Sequence, residues 1–456
     1  MRTHHSFDMG LFDRLTGGSG DPRVAFVGID GVPYSLISEN PDIFPNLTRI
    51  ASAGTGTPID SIVPPESSAC WPALTTGVNP GETGVYGFQD REVGSYDTYV
   101  PMGRDVQATR VWDRVTDAGR KATVMNVPVT FPPQRDVQRM VSGFLSPGVD
   151  TAAHPESFAD SLNEGNYRID TDAKLGHKDD KSSFIENAEQ TLKRRYEAFK
   201  QYIERDDWDL FFGVFMTTDR VNHFLFKDYE RDGTYSEEFV EFYRTVDAYL
   251  GDLHDALPDD VTMVVASDHG FTSLDYEVHC NVWLEENGWL SYESDDHDSL
   301  SDIKSESKAY SLIPGRFFIN LEGREPRGSV SQDDYEAVRD ELKTELEALE
   351  GPDGKKVAER VVVKEDAFDG AQDHLAPDLV VVPNHGFDLK SGFKGHDDVF
   401  GTGPRNGMHS FDNATLLIDD PDVAVEADID LYDITPTILD LMEIETDAEF
   451  DGRSLV

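Results

Sequence analysis

Val24-Ala-Phe-Val-Gly-Ile29-Asp30-Gly31 is the segment on which the fold turns, an apolar run stopped at once by an acidic residue and a glycine. A run this short and this rich in Val, Ile and Phe suits a strand buried on both faces, as in a parallel sheet covered by helices. The pattern returns at Ala122–Asn126, Leu210–Phe215, Val261–Ala266, Leu379–Val382 and Ala414–Ile418, each bounded by Gly, Pro or Asp and separated by longer helix-like stretches. This alternation predicts an α/β protein whose central sheet is mostly parallel and sandwiched by helices.

Residues 1–22 contain Gly17-Gly-Ser-Gly20 and read as a flexible leader. The α/β rhythm then predicts a core over 23–290 and 377–456, interrupted at 291–376 by a smaller α+β cap insertion. Within that insertion Arg316–Leu321 reads as a strand. The stretch Gln332–Leu349 reads as a helix packing through Val338, Leu342, Leu346 and Leu349. A second polar and irregular stretch, Asp150–Ser183, precedes a helix ending near Glu204, and both regions are placed to roof the carboxyl edge of the sheet.

Eighty-eight acidic residues against 40 basic ones give a formal net charge of -48 over 456 residues, spread along the chain. A nucleic-acid-binding surface or an anionic membrane partner is excluded, since both need a basic face. At molar salt the screening length falls to about 3 Å and self-repulsion fades, so the acidity reads as adaptation to a salty cytosol. With only Cys70 and Cys280, no disulfide framework is implied. No apolar run reaches membrane-spanning length and no signal pattern opens the chain, so a cytoplasmic protein is expected.

The side chains that bind metals fall at strand ends. Asp30 follows the first run, Asp219 follows Leu210–Phe215 and Met-Thr-Thr, and Ser267-Asp268-His269-Gly270 follows Val261–Ala266. In a parallel sheet these ends open on one edge, so distant residues meet in one crevice. Singly, each has an ordinary explanation, because Asp after a strand is a common helix cap or turn former. Asp219 and His223, four apart, share a helix face and could hold one ion. With His409 in Asn406-Gly-Met-His409-Ser410, the set reaches three Asp and three His, a mix that suits zinc or manganese better than calcium.

A nucleophile is sought in Pro64-Pro-Glu-Ser67-Ser-Ala-Cys70-Trp-Pro-Ala-Leu-Thr-Thr-Gly77, where hydroxyls stand between a proline break and an apolar helix. Such a turn faces helix N–H groups toward an anion, although Ser67 or Ser68 could equally serve as an N-cap.

The ordered set of strand-Asp-Gly, Pro-Pro-x-Ser before Thr-Gly, Asp219-x-x-x-His223, Ser-Asp-His-Gly and a late Gly-x-His resembles the alkaline phosphatase superfamily. More closely it resembles the type I phosphodiesterase and nucleotide pyrophosphatase branch. Asn126-Val-Pro-Val-Thr-Phe-Pro-Pro133, Ser142-Gly-Phe-Leu-Ser-Pro147, Gly323-Arg-Glu-Pro326 and Asp433-Ile-Thr-Pro-Thr-Ile-Leu-Asp440 are similar to a subgroup described as predicted phosphohydrolases or phosphomutases. The resemblance spans Arg23 to Val456. It implies an alkaline phosphatase-like fold and two divalent metal ions, one held by Asp30, Ser67, Asp268 and His269 and the other by Asp219, His223 and His409. It also implies Ser67, ten positions before Gly77, as the nucleophile of a small-molecule phosphoester hydrolase, with Ser68 the lesser candidate. The branch commonly carries Thr at that position.

Asn126 and Arg220 are expected near the substrate phosphate, Arg220 being equally readable as a surface ion pair. His177, His279, His374, His385 and His396 are weaker candidates for substrate or metal contact. A sulfatase is disfavoured because Cys70-Trp-Pro72 lies three residues beyond the nucleophile position and Leu74 replaces the required Arg. A phosphomutase using the same phosphoseryl intermediate, and a metal-binding member without catalysis, stand as alternatives.

Overall fold

A computed structural model describes residues 21–294, 297, 299–392, 398–423 and 428–456. Most of the expected leader, and His396, lie outside them. The central sheet has eight strands: β1 (Arg23–Ile29), β2 (Thr55–Ile59), β3 (Ala122–Val127), β4 (Arg139–Ser142), β5 (Ala153–His154), β6 (Leu210–Phe215), β7 (Val261–Ala266) and β8 (Ala414–Ile418). Their spatial order is β2-β8-β7-β1-β6-β3-β4-β5. The five neighbours β7-β1-β6-β3-β4 are parallel.

Strand periodicity sends alternate side chains to opposite faces, and both faces are apolar. Ala25, Val27 and Ile29 of β1 join Phe211 and Phe215 of β6 and Met263 and Val265 of β7 in one cluster. The helices Pro45–Ala53, Ser182–Ile203, Thr217–Glu230 and Ser236–Asp255 cover that cluster. Val24 and Phe26, with Phe212, Val264 and Ala266, face the other way against the helices Ser67–Thr76, Val111–Asp117 and Ile434–Leu441. Two-sided burial is therefore why these runs show no polar alternation.

Two of the six apolar runs differ from the parallel-strand expectation. Ala414–Ile418 lies in the sheet but runs antiparallel to both β7 and β2. Leu379–Pro383 belongs instead to a separate four-stranded antiparallel sheet with Ala309–Leu312, Arg316–Ile319 and Ala358–Val363. There Leu379 and Val381 pack in one apolar cluster and Val380 in another. Burial on both faces looks the same in sequence whatever the direction or sheet of the neighbours.

The larger of those clusters runs from Val278 to Leu389 and includes Tyr96, wider at both ends than the insertion expected at 291–376. The helix Tyr335–Ala348 buries Leu342 and Leu346 against it, as its spacing predicts. Fully buried Arg316 ties this layer to the core through Asp90 and the Gln89 carbonyl. Among the described residues no helix is long and apolar enough to cross a membrane.

Candidate metal centre and nucleophile

Three adjacent parallel strands deliver the acidic residues of the candidate site. Ile29 is in register with Phe215, and Gly28 with Ala266, so the residues that follow each strand emerge side by side at the carboxyl edge. From β1 comes Asp30. The turn after β7 gives Asp268 and His269, and α1, our label for the helix Ser67–Thr76, begins with Ser67. The helix after β6, Thr217–Glu230, here called α2, carries Asp219 and His223 one turn apart on one face. His409 arrives last, on a strand Gly407–Ser410 that pairs antiparallel with Gly270–Ser273 and sets His409 opposite Phe271.

The residues gather into two trios, Asp219 with His223 and His409, and Asp30 with Asp268 and His269. In the first, Asp219 Oδ1 lies 3.3 Å from His223 Nε2 and 3.2 Å from His409 Nε2, and the two nitrogens are 3.1 Å apart. In the second, His269 Nε2 lies 3.4 Å from Asp268 Oδ2 and 3.7 Å from Asp30 Oδ1. Ser67 Oγ stands 3.2 Å from His269 Nε2 and 3.4 Å from Asp30 Oδ1. The His269 and His409 rings stack with centroids 3.7 Å apart, so the trios adjoin.

The donor chemistry fits cations. Each imidazole places Nδ1 on a backbone carbonyl: His223 on Gly407 at 3.2 Å, His269 on Gly270 at 3.0 Å and His409 on Pro65 at 3.0 Å. A carbonyl only accepts, so Nδ1 carries the hydrogen and Nε2 turns a lone pair inward, as in metal-ligating histidines. Lone pairs of His223 and His409 facing each other repel unless something positive lies between them. Ligands about 2.0–2.1 Å from zinc in tetrahedral geometry are separated by about 3.3 Å, close to the edges of the first trio. Asp268 Oδ2 is buried without a hydrogen-bond partner among the described residues, a deficit a cation would remove.

Charge crowding gives the same reading. Burial, then the charges of Asp268 and Asp219, hold Asp30 well above the usual carboxylate range, while burial with Asp219 pushes Asp268 up to about 7. Burial also opposes ionisation of Asp219, but His223, His409 and Arg220 outweigh it and leave this carboxyl well below its ordinary value. His269 is lowered to about 3 by burial and by His409. Such a site holds more acceptors than it can neutralise from within.

The residues that support the two trios are as specific as the trios themselves. Trp71 Nε1 donates to Asp30 Oδ2 at 2.7 Å, and Gly31 N donates to Asp268 Oδ1 at 3.1 Å. A Cβ on Gly28 would meet the Trp71 ring at 2.4 Å, so glycine is what lets α1 approach β1 closely enough for the indole to reach Asp30. The one signal in the sequence for Trp71 is its spacing of four from Ser67, which puts both on one helix face. Glu66, N-cap of α1, accepts from Ser68 N at 3.1 Å.

A cavity of about 410 Å³ opens over Ser67, Asp219, His223 and His409. Its wall includes Phe88, Phe144, Ile313, Pro314 and Val381, the last three from the segments that build the four-stranded antiparallel sheet. Arg220 is on this wall, buried, not at the surface. Its NH2 donates to Asp170 Oδ2 at 2.9 Å and its NH1 to Asp219 Oδ2 at 3.1 Å, with the guanidinium 4.5 Å above the Phe144 ring. Asp170 sits in the irregular segment, where nothing in the sequence pointed to it.

Asn126 is not among the residues that line the cavity. Its amide donates to the Val214 carbonyl at 3.3 Å and accepts from the Tyr167 hydroxyl at 3.1 Å, and it is fully buried. Among the weaker histidines His177 lines the cavity. His279 is buried on the Asp398 carbonyl, His374 is exposed, and exposed His385 pairs with Asp412 at 3.1 Å.

Residues 24–412 match the family model of type I phosphodiesterase / nucleotide pyrophosphatase. Among solved structures, the phosphonoacetate hydrolase of Sinorhizobium meliloti 1021, in complex with phosphonoacetate, is 16% identical with a TM-score of 0.57, covering 93% of this chain and 96% of that one. The murine ectonucleotide pyrophosphatase / phosphodiesterase 5 is 15% identical with a TM-score of 0.57, covering 94% of this chain and 97% of that one. An inactive form of the murine protein has been solved in complex with AMP. At these identities the likeness is one of fold. No curated protein sequence matches the chain.

Proposed function

The chain belongs to the type I phosphodiesterase / nucleotide pyrophosphatase family of metal-dependent phosphoester hydrolases, and on that footing we propose that it cleaves a phosphodiester or nucleotide pyrophosphate through a phosphoseryl intermediate on Ser67. The observation that carries the reading is the placement of the Ser67 hydroxyl within 3.4 Å of the second trio while the first trio opens into the same cavity.

Asp30, Ser67, Asp268 and His269 would hold one divalent ion and Asp219, His223 and His409 the other, zinc or manganese by their donor set. When bound, two such ions lower the pKa of hydroxyl and water oxygens and stabilise charge on a leaving oxygen. The three carboxylates and a deprotonated Ser67 balance two dications, leaving a near-neutral site for a substrate anion inside a strongly acidic protein.

The residues themselves supply position. Asp30 and His269 orient the Ser67 oxygen, which forms the new bond to phosphorus as the ester oxygen leaves. Water then cleaves the phosphoseryl bond and restores the hydroxyl. Arg220, fixed by Asp170, holds Asp219 in place. Apolar cap residues limit the water around the reacting atoms. The cap itself we assign to the segment centred on 291–376. The buried thiols Cys70 and Cys280, both free, support a reducing, cytoplasmic setting.

The test is hydrolysis of an aryl phosphodiester with zinc or manganese at high salt. Turnover is expected in the parent protein and in Ser68→Ala, and is lost in Ser67→Ala and after chelation. Undiminished turnover in Ser67→Ala, or after metal removal verified by elemental analysis, would remove the mechanism.

A further inference from the structure

Arg405 lines the cavity, half-buried, on the loop that leads to His409. This loop is anchored rather than free. Asn406 N donates to the His223 carbonyl at 2.8 Å, Asn406 Nδ2 donates to Asp228 at 2.7 Å, and His223 Nδ1 donates to the Gly407 carbonyl at 3.2 Å. The backbone that carries Arg405 is thereby held next to His223 of the first trio.

The other two strong cations of the wall are already engaged, Arg220 with Asp170 and Asp219, and Lys390 with Asp388. Arg405 has no hydrogen bond or ion pair among the described residues, although the chain holds 88 acids for 40 bases. Its charge is felt by His177, His223 and Asp388, which line the same cavity. The rest of the cavity wall mixes apolar residues, Ile313, Pro314, Val381 and Leu389 among them, with the carboxylates Glu66, Glu277 and Asp388, of which Asp388 is already paired with Lys390. A guanidinium offers a planar fork of donors that matches carboxylate or phosphate. An unpaired guanidinium on the wall of a partly apolar cavity is a recognition element for an anion on an organic ligand.

We propose that Arg405 is a specificity-determining residue that receives a second anionic group, a carboxylate or a phosphate, carried on the organic arm of the substrate. The inference rests on the hydrolase reading above and narrows its substrate class to phosphoesters bearing an additional distal anion. No bond is made or broken at Arg405.

The test uses metal-loaded Ser67→Ala protein, so that esters bind without being cleaved. Calorimetry compares 4-nitrophenyl phenyl phosphate with its 4-carboxyphenyl and 4-phosphonophenyl counterparts at fixed salt. At least one charged ester is expected to bind about tenfold more tightly than the neutral one. That ratio falls to about one when Arg405→Gln is added, and part of it is kept by Arg405→Lys. Whichever charged ester gains more identifies the anion. Comparing ratios within one protein cancels any general loss of folded material. Equal affinity for charged and neutral esters, or a preference that survives Arg405→Gln, overturns the assignment. Failure of the hydrolase reading shows separately, as absent turnover of the neutral ester by the parent protein.

Discussion

Trp71→Phe separates the positioning of Asp30, a candidate metal ligand, from the packing of a helix. The indole is fully buried, stands edge-on to Phe26 with centroids 6.4 Å apart, and donates to Asp30 Oδ2 at 2.7 Å. Phenylalanine keeps most of the apolar contact and removes the donor. A hydrogen bond to a charged group contributes about 1.5–3 kcal/mol. At about 1.4 kcal/mol per decade, its loss should weaken divalent metal binding by about tenfold to a hundredfold, the range typical of groups that orient metal ligands. The smaller ring also leaves a partial void, costing about 1–2 kcal/mol of stability.

The two effects are read by different assays, a metal titration against a competing chelator and a thermal melt. Trp112→Phe is the control, because Trp112 shares the same apolar cluster but donates to Gln134 at 2.5 Å, outside the site. It should lower the melting temperature and leave metal affinity unchanged. If Trp71→Phe shifts the melt and leaves the metal dissociation constant within twofold of the parent, the indole only fills space and the positioning argument is wrong.

Asp247 is buried on the helix Ser236–Asp255 and accepts from Asn46 N at 3.1 Å and Leu47 N at 2.9 Å, capping the helix Pro45–Ala53 from outside it. Asp247→Ala should cost at least about 2 kcal/mol in denaturant unfolding, with Asp247→Asn losing less. Asp430 is pushed up to about 6 by burial and by Asp433. The folded chain therefore holds a proton that the unfolded chain gives up near pH 4, and stability falls as pH rises from about 4 to about 6 and stays lower above that. Asp430→Asn should remove that fall and gain on the order of 1 kcal/mol at pH 7 once solvent screening is allowed for; an unchanged pH profile of unfolding would contradict it. A net charge of -48 predicts a melting temperature that climbs steeply between about 0.1 M and 2 M salt, where the screening length shrinks from about 10 Å toward 3 Å or less. A flat response would show that the repulsion is compensated locally.

The sequence by itself determined the α/β class, the metal-type residues at the ends of β1, β6 and β7, and Ser67 at the start of α1. Each of these follows from a local rule: two-sided burial makes an uninterrupted apolar run, and parallel strands open their carboxyl ends on one edge. The direction of Ala414–Ile418 and the sheet membership of Leu379–Pro383 depended on which neighbours they pair with, and burial alone carries no record of direction. The hydrogen bond of Trp71 to Asp30, the grip of Asp170 on Arg220, the place of Arg405 on the cavity wall and the contacts of Asn126 with Val214 and Tyr167 were decided by how distant segments pack. A side chain's chemistry is written in the sequence, but which group it spends that chemistry on is fixed only when the chain has closed around it.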